Sequence, residues 1–216
     1  MIQDGIVDNY GKIMSNPYIL VLFSSISGAT EQLAHSIARG VNMCPGMTAK
    51  IRTVPSVEDL INTDQAKAQS VAYASSDDLA NCCGLAIGSP THFGNMSSGL
   101  QHWLEKTTGL WFSGGLINKP ACVFTASASL HGGQETTLIN MLTPLMHHGM
   151  IILGVPYSSG TLNKTERGGT PYGASFVTGG GNGDPELTDI EHDIACEQGK
   201  RLAEVASALL RQENSE

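Results

Sequence analysis

The sequence predicts an α/β domain of three layers, with a five-stranded parallel sheet in the order 2-1-3-4-5 and helices on both faces. Three observations predict it. Short β-branched and apolar runs alternate along the chain with segments of helical period, the pattern of repeated βαβ units. The first run, Tyr18-Ile-Leu-Val-Leu-Phe23, is unbroken in its apolar character, as a central strand covered on both faces must be. Five such runs and five helical segments fit a doubly wound sheet, in which ligands sit beyond the carboxyl ends of the strands where the strand order reverses.

Each element has its own signal. After the first strand, Leu33, Ile37 and Val41 share one helical face, and Pro45-Gly46 stops that helix. Residues 50–54 (Lys-Ile-Arg-Thr-Val) read as a shorter second strand before Pro55. Residues 56–80 are polar and offer only a short helix near 75–79. The third strand is residues 84–88, and the helix over 97–106 presents Leu100, Trp103 and Leu104. The fourth strand is residues 121–124, followed by a helix over about 135–147, and the fifth is residues 150–155. Residues 156–185 form a glycine-rich excursion without periodicity, longer than the roughly 12–15 residues usual for a structureless loop, so a function is expected of it. In the last helix Thr188 and Glu191 make a capping box, and Ile190, Ile194, Leu202, Val205 and Leu209 form the buried stripe.

The chain has 216 residues, 41% of them hydrophobic, enough to bury one domain. A net charge of −8, from 20 acidic against 12 basic residues without a Lys/Arg cluster, gives no footprint for nucleic acid or an anionic membrane. Any anion must be gripped locally. The five cysteines, Cys44, Cys82, Cys83, Cys122 and Cys196, show no C-x-x-C spacing and suit free thiols in a reducing compartment. In residues 1–16, Asp4 and Asp8 interrupt what a secretory signal would keep apolar. That segment is expected to be an N-terminal extension or an added leader before a single domain over residues 17–212. No run approaches the ~18 apolar residues of a membrane-spanning helix, so the expected location is the cytoplasm, without membrane insertion.

Three loops leave the same edge of such a sheet. The first, Ser24-Ser-Ile-Ser-Gly-Ala-Thr30, places backbone N–H groups and the hydroxyls of Ser25, Ser27 and Thr30 at a helix N-terminus, with close approach at Gly28. It can wrap a phosphate without a cation, although an ordinary capped helix start would look similar. It is neither a G-x-G-x-x-G nor a Walker loop. The second, Gly88-Ser-Pro-Thr-His-Phe-Gly-Asn-Met96, fixes an irregular backbone whose polar groups can meet the edge of a flat ring, with Phe93 to pack on it. The third, Thr125-Ala-Ser-Ala-Ser-Leu-His-Gly-Gly133, lets backbone amides approach the carbonyls of such a ring.

Gly88-Ser-Pro-Thr-His-Phe-Gly-Asn-Met96, Gly109-Leu-Trp111, His131-Gly-Gly-Gln-Glu135, His147-His-Gly-Met150 and Arg167-Gly-Gly-Thr-Pro-Tyr-Gly173 occur in this order. Together they closely resemble the WrbA family of FMN-dependent NAD(P)H:quinone oxidoreductases, a flavodoxin-like family, from about Tyr18 to Leu210. The resemblance implies an FMN site. Ser25, Ile26, Ser27, Gly28, Ala29 and Thr30 would hold its phosphate. Thr91, His92, Phe93, Gly94 and Asn95 would line its isoalloxazine, with Ala126, Ser127, Ala128, Ser129, Leu130, His131 and Gly132 from the third loop. His147 would reach the flavin from a neighbouring subunit or adjacent helix, in a positioning role, and Trp111 would stand at the mouth of the substrate pocket. A core position for Trp111 and a helix-capping role for the His147–His148 pair are the plainer alternatives. No metal is implied, because no partner stands at ligand spacing.

The implied activity is two-electron transfer from NAD(P)H to quinones by alternating, ping-pong binding. The implied assembly is a homotetramer built partly through residues 156–185. The sequence departs from the family at Ser27, where a tyrosine is frequent, and at His92, where arginine is usual and a titratable ring replaces a permanently charged fork. Two rivals stand beside this reading: a flavodoxin-like FMN carrier of single electrons to protein partners, and a flavin-free scaffold.

Overall fold

The computed structural model describes residues 6–7, 13–14, 17–61, 70–180 and 186–213, so the ends and most of the expected extension over 1–16 lie outside the described residues. Ile6–Val7 (β1) and Ile13–Met14 (β2) pair antiparallel, apart from the main sheet. The main sheet is centred on Tyr18–Phe23 (β3), flanked in parallel by Thr48–Thr53 (β4) and Gly84–Pro90 (β5). Pro120–Ser127 (β6) follows β5, and Ile151–Ile152 (β7) lies beside its first residues, Pro120 and Ala121. The strand order is the flavodoxin-like 2-1-3-4-5 expected.

Alternate residues of β3 explain the two helix layers. Ile19, Val21 and Phe23 pack against Leu33, Ile37 and Val41 of Ala29–Asn42 (α1) and Ile194 and Leu202 of Asp189–Glu213 (α7). Leu20 and Leu22 pack on the other side against Leu100 and Leu104 of Ser98–Glu105 (α4) and Leu138, Met141 and Leu145 of Gln134–His147 (α6). Short helices complete that side: Val57–Ile61 (α2), Ser76–Ala80 (α3) and Thr108–Phe112 (α5). Among the described residues no helix is long and apolar enough to cross a membrane.

Three expectations need correction. The fifth strand does not run through residues 150–155. Its ladder ends at Ile152, the Val155 N–H turns to Pro171 O (2.9 Å), and the edge of β6 is finished by Ala174–Val177 (β8) paired parallel with Phe124 to Ser127. The excursion therefore contains a strand, too short at four residues to show a period. The α7 stripe is also rotated. Ile194 and Leu202 are buried, but Ile190, Val205 and Leu209 sit at its border while Ala195, Ala203, Ala206 and Leu210 fill the centre. Small residues serve there because α1 and α7 cross backbone to backbone: a Cβ on Gly199 would lie 2.1 Å from Ile37 O.

The polar stretch before β5, where the short helix expected near 75–79 is α3, holds an anchor. Ser75 and Asp78 make a reciprocal capping box at α3, and the Asp78 carboxylate also takes Lys50 Nζ (2.6 Å) and Arg52 Nε (3.0 Å) from β4. Burial alone would raise the Asp78 pKa, but the hydrogen bonds from Lys50, the Ser75 N–H and Arg52 overcome it and hold the group at about 2. A depressed carboxylate stabilises the fold above its unfolded value of 3.8 and loses that contribution as pH falls through about 2. Unfolding free energies from urea titrations at pH 5 and pH 2 are expected to differ by about 2 kcal/mol more in the parent than in Asp78→Asn. Equal pH dependence in the two proteins would refute the assignment.

Candidate functional site

The ends of β3, β5 and β6 release the three loops at one edge. Loop one leaves β3 with the Ser24 N–H donating to Gly88 O (2.9 Å) and the Ser97 hydroxyl donating to Ser24 Oγ (2.9 Å). Gly28 starts α1 at φ +84° with open space where a Cβ would stand, so the backbone angle and not crowding favours glycine. Its N–H donates to Ser25 Oγ (3.1 Å). No side chain caps α1, and Thr30 Oγ1, on a residue 1% exposed, has no protein partner. Free helix N–H groups beside an orphaned buried hydroxyl fit a phosphate.

Loop two is a two-residue hairpin. His92 and Asn95 exchange backbone hydrogen bonds (2.8 and 3.0 Å), while Phe93 (φ 52°) and Gly94 (φ 77°) both take left-handed angles, as a mirror-image type I turn requires. Phe93 at its tip is fully exposed, a strained residue presented outward. Thr91 ties the loop to its neighbour: its N–H donates to Ala126 O (2.8 Å), and its hydroxyl lies 3.2 Å from both Thr125 Oγ1 and Thr137 Oγ1. Thr125, Ala126 and Ser127, read from sequence as loop three, are instead the last residues of β6, because β8 arrives to extend the ladder. The open turn is residues 128–132, held by Ser129 O, which accepts from Ser127 Oγ, Gln134 Nε2 and the Gly132 N–H (3.0, 2.8 and 3.2 Å).

A cavity of about 450 Å³ opens between loops one and two and residues the sequence reading missed, and no residue of loop three lines it. Ser24, Ser25, Ile26, His92 and Asn95 line it, but so do Thr53, Val54, Ser56, Val57 and Asp59 after β4, and Ser97, Ser98 and Gln101 at the start of α4. One signal was available: the turn after the second strand must end on the same edge as the loop after the first, and it carries Thr53 and Ser56.

His147 is not brought to loop three, though it shares a groove with Asn95 and Met96 of loop two. α6 starts at loop three and His147 ends it 14 residues later, about 20 Å along the axis. Instead it meets Trp111, whose indole N–H donates to His147 O (2.9 Å). Trp111 is 46% exposed and Phe112 more so, which removes the core reading of this tryptophan. A groove of about 520 Å³ between α4–α5 and α6 has Asn95 and Met96 at the loop-two end and Trp111, His147 and His148 elsewhere along it. Among the described residues no group of three His, Cys, Asp or Glu could hold a metal ion. Cys196 is half-buried and the other four cysteines are buried, and none forms a disulfide. Burial pushes the thiols of Cys44, Cys82, Cys122 and Cys196 up, Cys82 to about 11, so none of these four is a ready nucleophile.

Residues 17–161 match the family model described as NADPH-dependent FMN reductase. An NAD(P)H dehydrogenase (quinone) from Solidesulfovibrio magneticus is 39% identical over 200 residues, covering 88% of this chain and 98% of that protein. Among solved structures, a flavodoxin, WrbA-like protein from Agrobacterium tumefaciens aligns at a TM-score of 0.63 with 21% identity, covering 90% of this chain and 99% of the other. A flavodoxin from the domain Archaea aligns at 0.59 with 16% identity, over 88% and 99% of the two chains. At such identities the structures speak for the shared fold.

Proposed function

The chain belongs to the NADPH-dependent FMN reductase family, and from that premise we propose that it is an FMN-dependent oxidoreductase that passes two electrons from NAD(P)H to quinones. The observation that carries this reading is the partnerless Thr30 hydroxyl at the uncapped start of α1, on the edge where the strand order reverses. Ser25, Ile26, Ser27, Gly28, Ala29 and Thr30 hold the phosphate. Thr91, His92, Phe93, Gly94 and Asn95 face the ring from one side, and residues 126–132 offer it backbone from the other.

FMN, when bound, supplies the acceptance and release of an electron pair. The protein's share is binding, orientation and exclusion of water. Donor and acceptor take turns at one cleft, so the mechanism is ping-pong. With Ser27 and His92 in place of larger or permanently charged groups, the cleft grips the dinucleotide loosely, through hydroxyls and backbone. Because about 20 Å of helix separates His147 from loop three of its own chain, we assign His147 and Trp111 to the flavin of a neighbouring copy in a homotetramer. The compartment is the cytoplasm.

Anaerobic stopped-flow absorbance of the FMN-loaded protein tests the reading. Fast bleaching by NADH or NADPH and full recovery on adding a quinone is the expected result. Bleaching only by dithionite, in two one-electron steps, would overturn it in favour of an electron carrier. The phosphate assignment has its own test. Thr30→Val is expected to weaken FMN binding about 10- to 100-fold, the worth of one hydrogen bond to a charged group, in a fluorescence titration, while Thr30→Ser stays near the parent. An unchanged affinity in Thr30→Val would move the phosphate elsewhere.

A further inference from the structure

We propose that His148 is a positioning residue for substrate: it clamps the start of α5 to the end of α6 and so fixes the Trp111 indole in the groove. A closed ring of contacts carries this. The Thr107 hydroxyl spends its single proton on Leu104 O (2.7 Å), so at 2.9 Å from His148 Nε2 it accepts, and His148 donates. The Thr107 carbonyl in turn accepts the Trp111 backbone N–H (3.0 Å), and the Trp111 indole N–H returns to the carbonyl of His147, the neighbour of His148 (2.9 Å). Thr107, Trp111, His147 and His148 all line the same groove.

The ring matters because α5 has little else to hold it. It is five residues long, buries none of them fully, and has no side-chain cap at Thr107. So short a helix does not persist without tertiary contacts. The donor role leaves His148 Nδ1 unprotonated, buried and without a partner, as a neutral ring requires. Burial, aided by the adjacent His147, lowers the His148 pKa from its ordinary value, in keeping with that state.

The kinetic consequence rests on Trp111 lining the substrate site; the clamp does not. The test uses FMN-loaded full-length protein. In His148→Leu, amide hydrogen exchange over residues 108–113 is expected to quicken about fivefold, the population change from losing one neutral hydrogen bond, while α4 keeps the parent rate. Thr107→Val, which removes the acceptor, should do the same. His148→Gln, whose amide N–H can take the place of Nε2–H, should restore the parent rate. In turnover, His148→Leu should raise the quinone KM about fivefold with kcat within about twofold. Unchanged exchange in His148→Leu, or no rescue by His148→Gln, overturns the clamp. A parent protein without quinone turnover sinks the functional reading and leaves the exchange rates to decide the clamp.

Discussion

Glu191→Ala is expected to cost about 3–5 kcal/mol of folding stability, because it strips the acceptor from several buried donors at once. Glu191 is fully buried at the start of α7. One carboxylate oxygen takes the N–H groups of Gly168 (3.0 Å) and Val177 (3.1 Å). The other takes the Thr188 N–H (3.0 Å) and hydroxyl (2.9 Å), with the Arg167 guanidinium 3.6 Å away. A single side chain thus caps α7, anchors the Arg167-Gly-Gly segment and fixes the end of β8. Urea unfolding should show the loss, and Glu191→Gln, which keeps the shape but offers one acceptor oxygen in place of two, should fall between. Proteolysis within residues 160–177 should quicken in parallel, since β8 loses its tie to α7. A loss below about 1 kcal/mol would mean that water replaces the carboxylate.

The same network explains a motif whose family likeness was plain but whose purpose was not. A Cβ on Gly168 would lie 2.0 Å from Ser175 O, and one on Gly173 2.1 Å from Val123 O. The Arg167 side chain donates to Val177 O and covers the Phe176 ring. Arg167-Gly-Gly-Thr-Pro-Tyr-Gly173 is a buttress that brings β8 to the edge of β6.

What was legible in the sequence followed from burial on two faces or one. β3 is buried from Ile19 to Phe23 and shows as an unbroken apolar run; α1 packs one face and shows as Leu33, Ile37 and Val41; the Thr188–Glu191 capping box is local and reads directly. What was not legible depends on long-range partners. β8 exists because β6 has a free edge, and nothing in Ala-Ser-Phe-Val announces that. α5 is held by groups about forty residues away, such as His147 and His148. The phosphate loop could be placed by its hydroxyls and glycine, but that Thr30 is the hydroxyl left without a partner is a fact of packing. The separation of His147 from loop three follows from α6 running its full 14 residues, which a motif match does not weigh.

Gly199→Val is expected to lower stability by about 3 kcal/mol or more, and to weaken FMN binding with it. Helix propensity argues the other way, since glycine inside a helix costs about 1 kcal/mol against alanine. The crossing decides the sign. The Cβ would stand 2.1 Å from Ile37 O and 2.8 Å from Ile37 C, and at the matching position a Cβ on Gly40 would stand 2.0 Å from Cys196 O. These are backbone atoms with no rotamer to escape into, so α1 and α7 must separate. α1 carries Thr30 and loop one at its start, so the separation shifts the phosphate donors along with the core. Gly109→Ala is the control: it lies in α5 with open space around its Cβ, so propensity alone acts and stability should hold or rise slightly. Thermal unfolding and FMN titration on the same samples separate the two effects. The double variant Gly40→Ala/Gly199→Ala should lose well under the sum of its single losses, because one separation of the helices makes room for both methyl groups. Strict additivity would show that each clash is relieved locally, and the seam would then not be the rigid mount on which loop one sits.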